Sequence, residues 1–112
     1  MKKIVICLFI MLAINANAAS EQLSGKTITK ITAYEDFLFV YYTPSEPVSQ
    51  GCDEDDNGTR AVIDNANNKS TEMVSAALTA ATAGKTVTIG VQNCYGGNND
   101  KYIKIYRIEV NF

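Results

Sequence analysis

The chain opens with Met1-Lys2-Lys3, followed by an unbroken apolar run of eleven residues, Ile4 to Ile14, and then Asn15-Ala16-Asn17-Ala18. A basic start, an apolar middle and a small-x-small ending form the pattern that signal peptidase reads. A membrane-spanning helix needs about 20 apolar residues, roughly twice this run. Residues 1–18 are therefore expected to be a bacterial signal peptide, cleaved near Ala18 or Ala19, leaving residues 19–112 as a single domain with no membrane anchor. The expected location is the periplasm or the medium. Cys7 lies inside the apolar run rather than just after the cleavage site, so it leaves with the signal instead of carrying a lipid.

Residues 19–25 read as a polar lead ending at Gly25. From Lys26 to Tyr34 the chain is rich in β-branched residues, with Ile28 and Ile31 three apart. A strict period of two does not place both on one face, so the pattern predicts a strand bent by a bulge. Glu35-Asp36 forms a polar turn into Phe37 to Tyr42, apolar or amphipathic at every position and expected to be a central strand. Pro44 and Pro47 close it, because neither donates to a ladder.

Residues 48–59 form a polar loop around Cys52, and Arg60 to Asp64 is long enough for one short strand. The Asn65 to Asn68 cluster breaks the pattern and precedes a helix of about 13 residues. Asn68 or Ser70 is placed to cap it, and Glu72 complements its dipole. Met73, Ala77 and Ala81, with Val74 and Leu78, form its expected apolar stripe. Gly84 is placed to end it in the left-handed conformation. Val87, Ile89 and Val91 then alternate with polar or small residues in a strand that ends at Asn93-Cys94. Gly96-Gly97-Asn98-Asn99 marks a turn within Tyr95 to Asp100. In the last strand, Lys101 to Phe112, the apolar phase slips between Ile103/Ile105 and Ile108/Val110, which predicts a bulge near Tyr106-Arg107.

The order is strand, strand, strand, helix, strand, strand. This mainly β arrangement with one helix is that of an OB-fold-like five-stranded barrel, which places its helix between the third and fourth strands. A split α+β sheet with a docked helix is the competing topology.

Composition removes several functions. The chain has no histidine, which excludes Ser/His/Asp and Cys/His nucleophilic arrangements and the usual base near neutral pH. A carboxylate-only enzyme would need acids across a cleft, whereas here they gather in one loop. The expectation is no enzyme and no cofactor. Beyond the signal, eight Lys+Arg face twelve Asp+Glu, a balance that repels phosphate backbones and weighs against nucleic acid. Cys52 and Cys94 remain as a pair in an exported chain, and one disulfide is the natural reading.

Gly25 with its following strand, Cys52, the helix ending Ala81-Thr82-Ala83-Gly84-Lys85-Thr86-Val87, and Cys94 resemble a group of small exported bacterial OB-fold-like proteins of undefined role. More distantly, the helix end and the strand after it resemble the receptor-binding B subunits of AB5 toxins of the subtilase-cytotoxin and pertussis-like type. The resemblance implies a disulfide-bonded OB-like subunit, assembled as a homo-oligomeric ring of five and binding host glycans. The sugar-contacting aromatic and serine pattern near the mature N-terminus of those subunits has no counterpart here, so no glycan-binding residue is carried over.

Two local patterns offer candidate sites. Asp53-x-Asp55-x-Asn57-Gly58, with Asp64 at the twelfth position, reproduces the opening of a calcium loop, where alternate carboxylates converge around a glycine turn. Arg60 stands where an apolar residue is usual and neither flank reads as a helix, so a solvated acidic loop is the competing reading. The second pattern is aromatic. In an OB-like barrel the 1–2 and 4–5 loops flank the ligand face, which here brings forward Tyr34, Glu35, Asp36, Tyr95 and Asn98 as saccharide contacts. Tyr41, Tyr102 and Tyr106 are read instead as strand tyrosines covering the barrel. The sequence thus points to an exported, non-catalytic binding module, and the B-subunit resemblance implies that it is glycan-directed. The alternative is a monomeric periplasmic domain that binds or inhibits another protein through an exposed strand edge.

Overall fold

The computed structural model describes residues 19–54, 57–96 and 101–112. Residues 1–18, expected from the sequence to be a signal peptide, lie outside the described residues, as do Asp55 and Asn98. Five strands, β1 (Glu21–Ala33), β2 (Phe37–Thr43), β3 (Arg60–Asp64), β4 (Val87–Tyr95) and β5 (Tyr102–Val110), accompany one helix, α1 (Ser70–Ala83). The strands close into a barrel in the order β1-β2-β3-β5-β4. Adjacent strands are antiparallel except β3 and β5, which run parallel through Val62 and Lys104. With α1 between β3 and β4, this is the OB-like arrangement. No helix among the described residues is long and apolar enough to cross a membrane.

The expected polar lead is instead the first part of β1. Glu21, Gln22 and Leu23 pair with Val91, Gly90 and Ile89, whereas Thr27 to Ala33 pair with β2. One strand therefore serves two neighbours, and it turns between them by register shifts at Leu23/Lys26 and Ile28/Lys30. Gly25 sits in the first shift at φ +65°, a conformation that costs glycine little. The second shift is the bulge expected from the Ile28/Ile31 spacing. The slip in β5 is also present: Arg107 pairs with Gly90 and Ile105 with the next residue, Val91, leaving Tyr106 as the extra residue.

The interior is aliphatic. Leu23, Val40, Ile63, Ile89, Val91, Ile103 and Ile105 are buried in one cluster with Met73, Ala77 and Ala80 of α1. The helix stripe differs from the expected one: Ala80 is buried, while Ala81 is exposed and Leu78 is 49% exposed. At 100° per residue Met73, Ala77 and Ala80 share a line along the helix, and Leu78 lies well round from it. The N-cap is Lys69, with no side-chain cap bond. Asn67 makes the local bond, its Oδ1 accepting from Lys69 N at 2.8 Å. Gly84 ends the helix at φ 68°, donating its N–H to Ala80 O as expected.

The loop between β2 and β3 is fastened from several sides. Lys26, 3% exposed, donates from Nζ to Pro44 O at 2.9 Å and meets Glu46 Oε1 at the same distance. The Cys52–Cys94 disulfide ties the loop to the end of β4. Gln50 lies between these anchors. Its Nε2 donates to Glu21 Oε2 at 2.6 Å and to Ala19 O at 2.8 Å, and its Oε1 accepts from Asn93 N at 2.9 Å.

Candidate functional site

Side chains alternate across a strand, and β2 uses the alternation fully. Val40 and Tyr42 face the core, while Phe37, Phe39 and Tyr41 face outward. Phe39 is only 4% exposed yet lies outside the core cluster, because other aromatic rings and Arg60 cover it. Its ring stands 5.0 Å from Tyr102 and 5.2 Å from Phe37, both edge-on. Phe37 in turn meets Tyr34 at 5.1 Å and Tyr95 at 5.0 Å. Edge-to-face pairs at these separations each contribute about 0.5–1.5 kcal/mol beyond area burial. The result is one aromatic floor built from β2, the β1–β2 turn and the ends of β4 and β5.

Tyr95 reaches this floor through a backbone detour. The β4–β5 register shifts between Val91 and Cys94, and Asn93 adopts φ +68°. Gln50 Oε1 holds the Asn93 N–H, and the disulfide holds the next residue. The extra residue resets the alternation, so Tyr95 joins Phe37 on the outer face.

Charge is distributed unevenly along the floor. Arg60 stacks its guanidinium 4.0 Å above Phe39, donates from Nη1 to Tyr41 Oη at 3.1 Å and lies 4.0 Å from Glu54 Oε1. Lys30 places its ammonium 4.3 Å over the ring of Tyr41. At the other end, burial first, and then the negative charges of Asp64 and Asp36, push the Tyr95 phenol above its ordinary value.

Of the saccharide candidates from the two loops, Tyr34 and Tyr95 both contact Phe37 and so converge on one floor. Asp36 stands close enough to act on Tyr95 electrostatically. Glu35 is exposed in the turn, its carbonyl accepting from Asn65 Nδ2 at 3.1 Å. Tyr41 and Tyr102 belong to the same surface, whereas Tyr106 lies elsewhere, beside Gln22 and Gly90. Phe37, Phe39 and Arg60 were not among the sequence candidates. The signal was present in Phe37-Leu38-Phe39-Val40-Tyr41-Tyr42, where every odd position is aromatic.

Of the candidate calcium residues, the described ones lie on two different elements. Asp53 and Asn57 are exposed in the loop, while Asp64 closes β3 opposite Phe37 and accepts Ala66 N at Oδ1, 2.9 Å away. Extended strand separates Asp64 from Arg60 by about 13 Å at 3.3 Å per residue. No group of three or more His, Cys, Asp or Glu among the described residues is arranged to hold a metal ion. Comparisons with protein-family models, curated proteins and solved structures returned no match to this chain.

Proposed function

We propose that the protein is an exported, non-catalytic carbohydrate-binding module whose ligand lies across the outer face of β2. The observation that carries this reading is the aromatic floor of Tyr34, Phe37, Phe39, Tyr41, Tyr95 and Tyr102, with Arg60 stacked on it. Aromatic rings offer apolar faces to the C–H surfaces of sugar rings, and the polar groups at the margin supply orientation. The floor occupies the surface that OB-like barrels use for oligosaccharides and oligonucleotides. The acid excess of residues 19–112 disfavours the second. The disulfide is compatible with an oxidising, exported location.

The test is a glycan array probed with oxidised protein of residues 19–112, beside the Tyr34→Ala and Tyr95→Ala variants. Saccharide binding that is lost in both variants, with circular dichroism unchanged, supports the reading. Binding that survives both substitutions overturns this face as the site. Capture of one specific protein with no saccharide bound favours the protein-binding alternative. Light scattering on the same sample tests the ring of five that the B-subunit resemblance implies.

A further inference from the structure

The register divides the outer face into rows. Lys30, Tyr41 and Arg60 are successive ladder partners across β1, β2 and β3, so two cations from different strands flank one phenol. Thr32, Phe39 and Val62 form the next row, which Lys104 of β5 continues as the partner of Val62. Phe37 and Asp64 form the third, beside Asp36 and Tyr95. Phe37 and Tyr41 are four residues apart on β2, about 13 Å at 3.3 Å per residue. One end of the aromatic floor is thus basic, through Lys30 and Arg60, and the other is acidic, through Asp36 and Asp64, with Lys104 in the row between them. Glu54, half-exposed and 4.0 Å from Arg60, is a counter-charge at the basic end.

A polyanion lying along β2 meets repulsion from Asp36 and Asp64, and a polycation meets it from Lys30, Arg60 and Lys104. A neutral chain uses neither pole. From this bipolar arrangement we infer that the ligand is a zwitterionic saccharide, one that carries carboxylate and free amine groups on a single chain. The inference rests on the carbohydrate reading of the face and narrows it to a class. The carboxylate end meets Lys30 and Arg60, which cover the rings of Tyr41 and Phe39, the sugar rings lie over the more exposed Tyr34 and Phe37, and the ammonium points to Asp36 and Asp64.

The test uses four forms of one tetrasaccharide of alternating uronic acid and glucosamine: de-N-acetylated (both charges), N-acetylated (anionic), carboxyl-reduced and de-N-acetylated (cationic), and carboxyl-reduced and N-acetylated (neutral). Calorimetry with the oxidised protein is expected to rank the zwitterion first. Each missing charge weakens binding by about threefold at low salt, in keeping with solvent-exposed ion pairs. Lys30→Gln is expected to abolish the preference for the carboxylate, and Asp36→Asn the preference for the amine. Both side chains are exposed, so the fold tolerates either change. Equal affinity for all four forms, tightest binding of a singly charged form, or a ranking unmoved by both substitutions overturns the inference. In those cases binding that is lost in Tyr34→Ala keeps the carbohydrate reading. If none of the four binds to folded protein at millimolar concentration, the inference fails, and the glycan array decides the broader reading separately.

Discussion

The ring of Tyr95 stands 5.0 Å from that of Phe37 at an interplanar angle of 73°, although the two belong to strands that do not pair. β2 neighbours β1 and β3, and β4 neighbours β5 and β1. The contact forms because the shift before Cys94 turns Tyr95 outward at the end of its strand. It joins the β1–β2 turn to the end of β4 in a single surface.

The Tyr95 phenol titrates above its ordinary value because burial, Asp64 and Asp36 all disfavour the phenolate. With the folded value raised, this group's contribution to stability is complete below the unfolded tyrosine value near 10. It is lost as pH rises through the folded value. Asp64→Asn is expected to lower the titration of Tyr95 toward the ordinary value, and Asp36→Asn to lower it less. Tyrosinate absorbance, with Tyr95→Phe to identify the signal, checks both. An unchanged titration in Asp64→Asn would remove the acidic end of the face.

Glycines 25 and 58 both have positive φ but differ in surroundings. A Cβ at Gly58 would lie 1.7 Å from the backbone oxygen of Glu46, whereas one at Gly25 meets nothing within 4 Å. Gly25→Ala is expected to cost about 1 kcal/mol from backbone conformation alone. Gly58→Ala should cost about 3 kcal/mol or more, because backbone must move on both sides. Urea unfolding of the two variants distinguishes them, and equal costs would contradict the close approach of the loop.

Lys26 is buried and Glu46 is about half exposed, yet they pair at 2.9 Å. Glu46→Ala leaves a buried ammonium with Pro44 O as its remaining described partner, at an expected cost of about 1–2 kcal/mol. Lys26→Met removes the buried charge together with its need for a partner and leaves Glu46 to water, so it should cost less. Thermal denaturation of both variants reads the order, and a larger loss in Lys26→Met would mean that the ion pair contributes net stability.

The disulfide closes a loop with a sequence separation of 42. In the chain-entropy model that contributes about 4 kcal/mol, a large share of the stability of so small a domain. The double variant Cys52→Ala, Cys94→Ala is expected to lower the urea midpoint sharply and to weaken the Tyr95–Phe37 contact, visible as a change in the ring-proton shifts of Tyr95. An unmoved midpoint would show that the Gln50 bonds suffice to hold the loop.

The element order was legible in the sequence because it is written locally. Pro44 ends a ladder, Gly84 accepts a left-handed cap, and Ile28/Ile31 and Ile105/Ile108 each break the period of two where a bulge stands. The pairing of Cys52 with Cys94 followed from there being no other cysteine after Cys7. Other features depended on partners far along the chain. Residues 21–25 lack apolar periodicity, and they are a strand because β4 offers them a ladder that closes the barrel. The helix buries Ala80 rather than Ala81 because its angle against β5, β1 and β3 selects the face. The aromatic alternation of β2 is plain in the chain, but which side faces out was decided by the aliphatic residues of the other strands, which fill the interior. Closure of the ring then carried Arg60, Tyr95 and Tyr102 to Phe37 and Phe39. A sequence specifies the period of its own side chains, whereas the barrel specifies which of them meet.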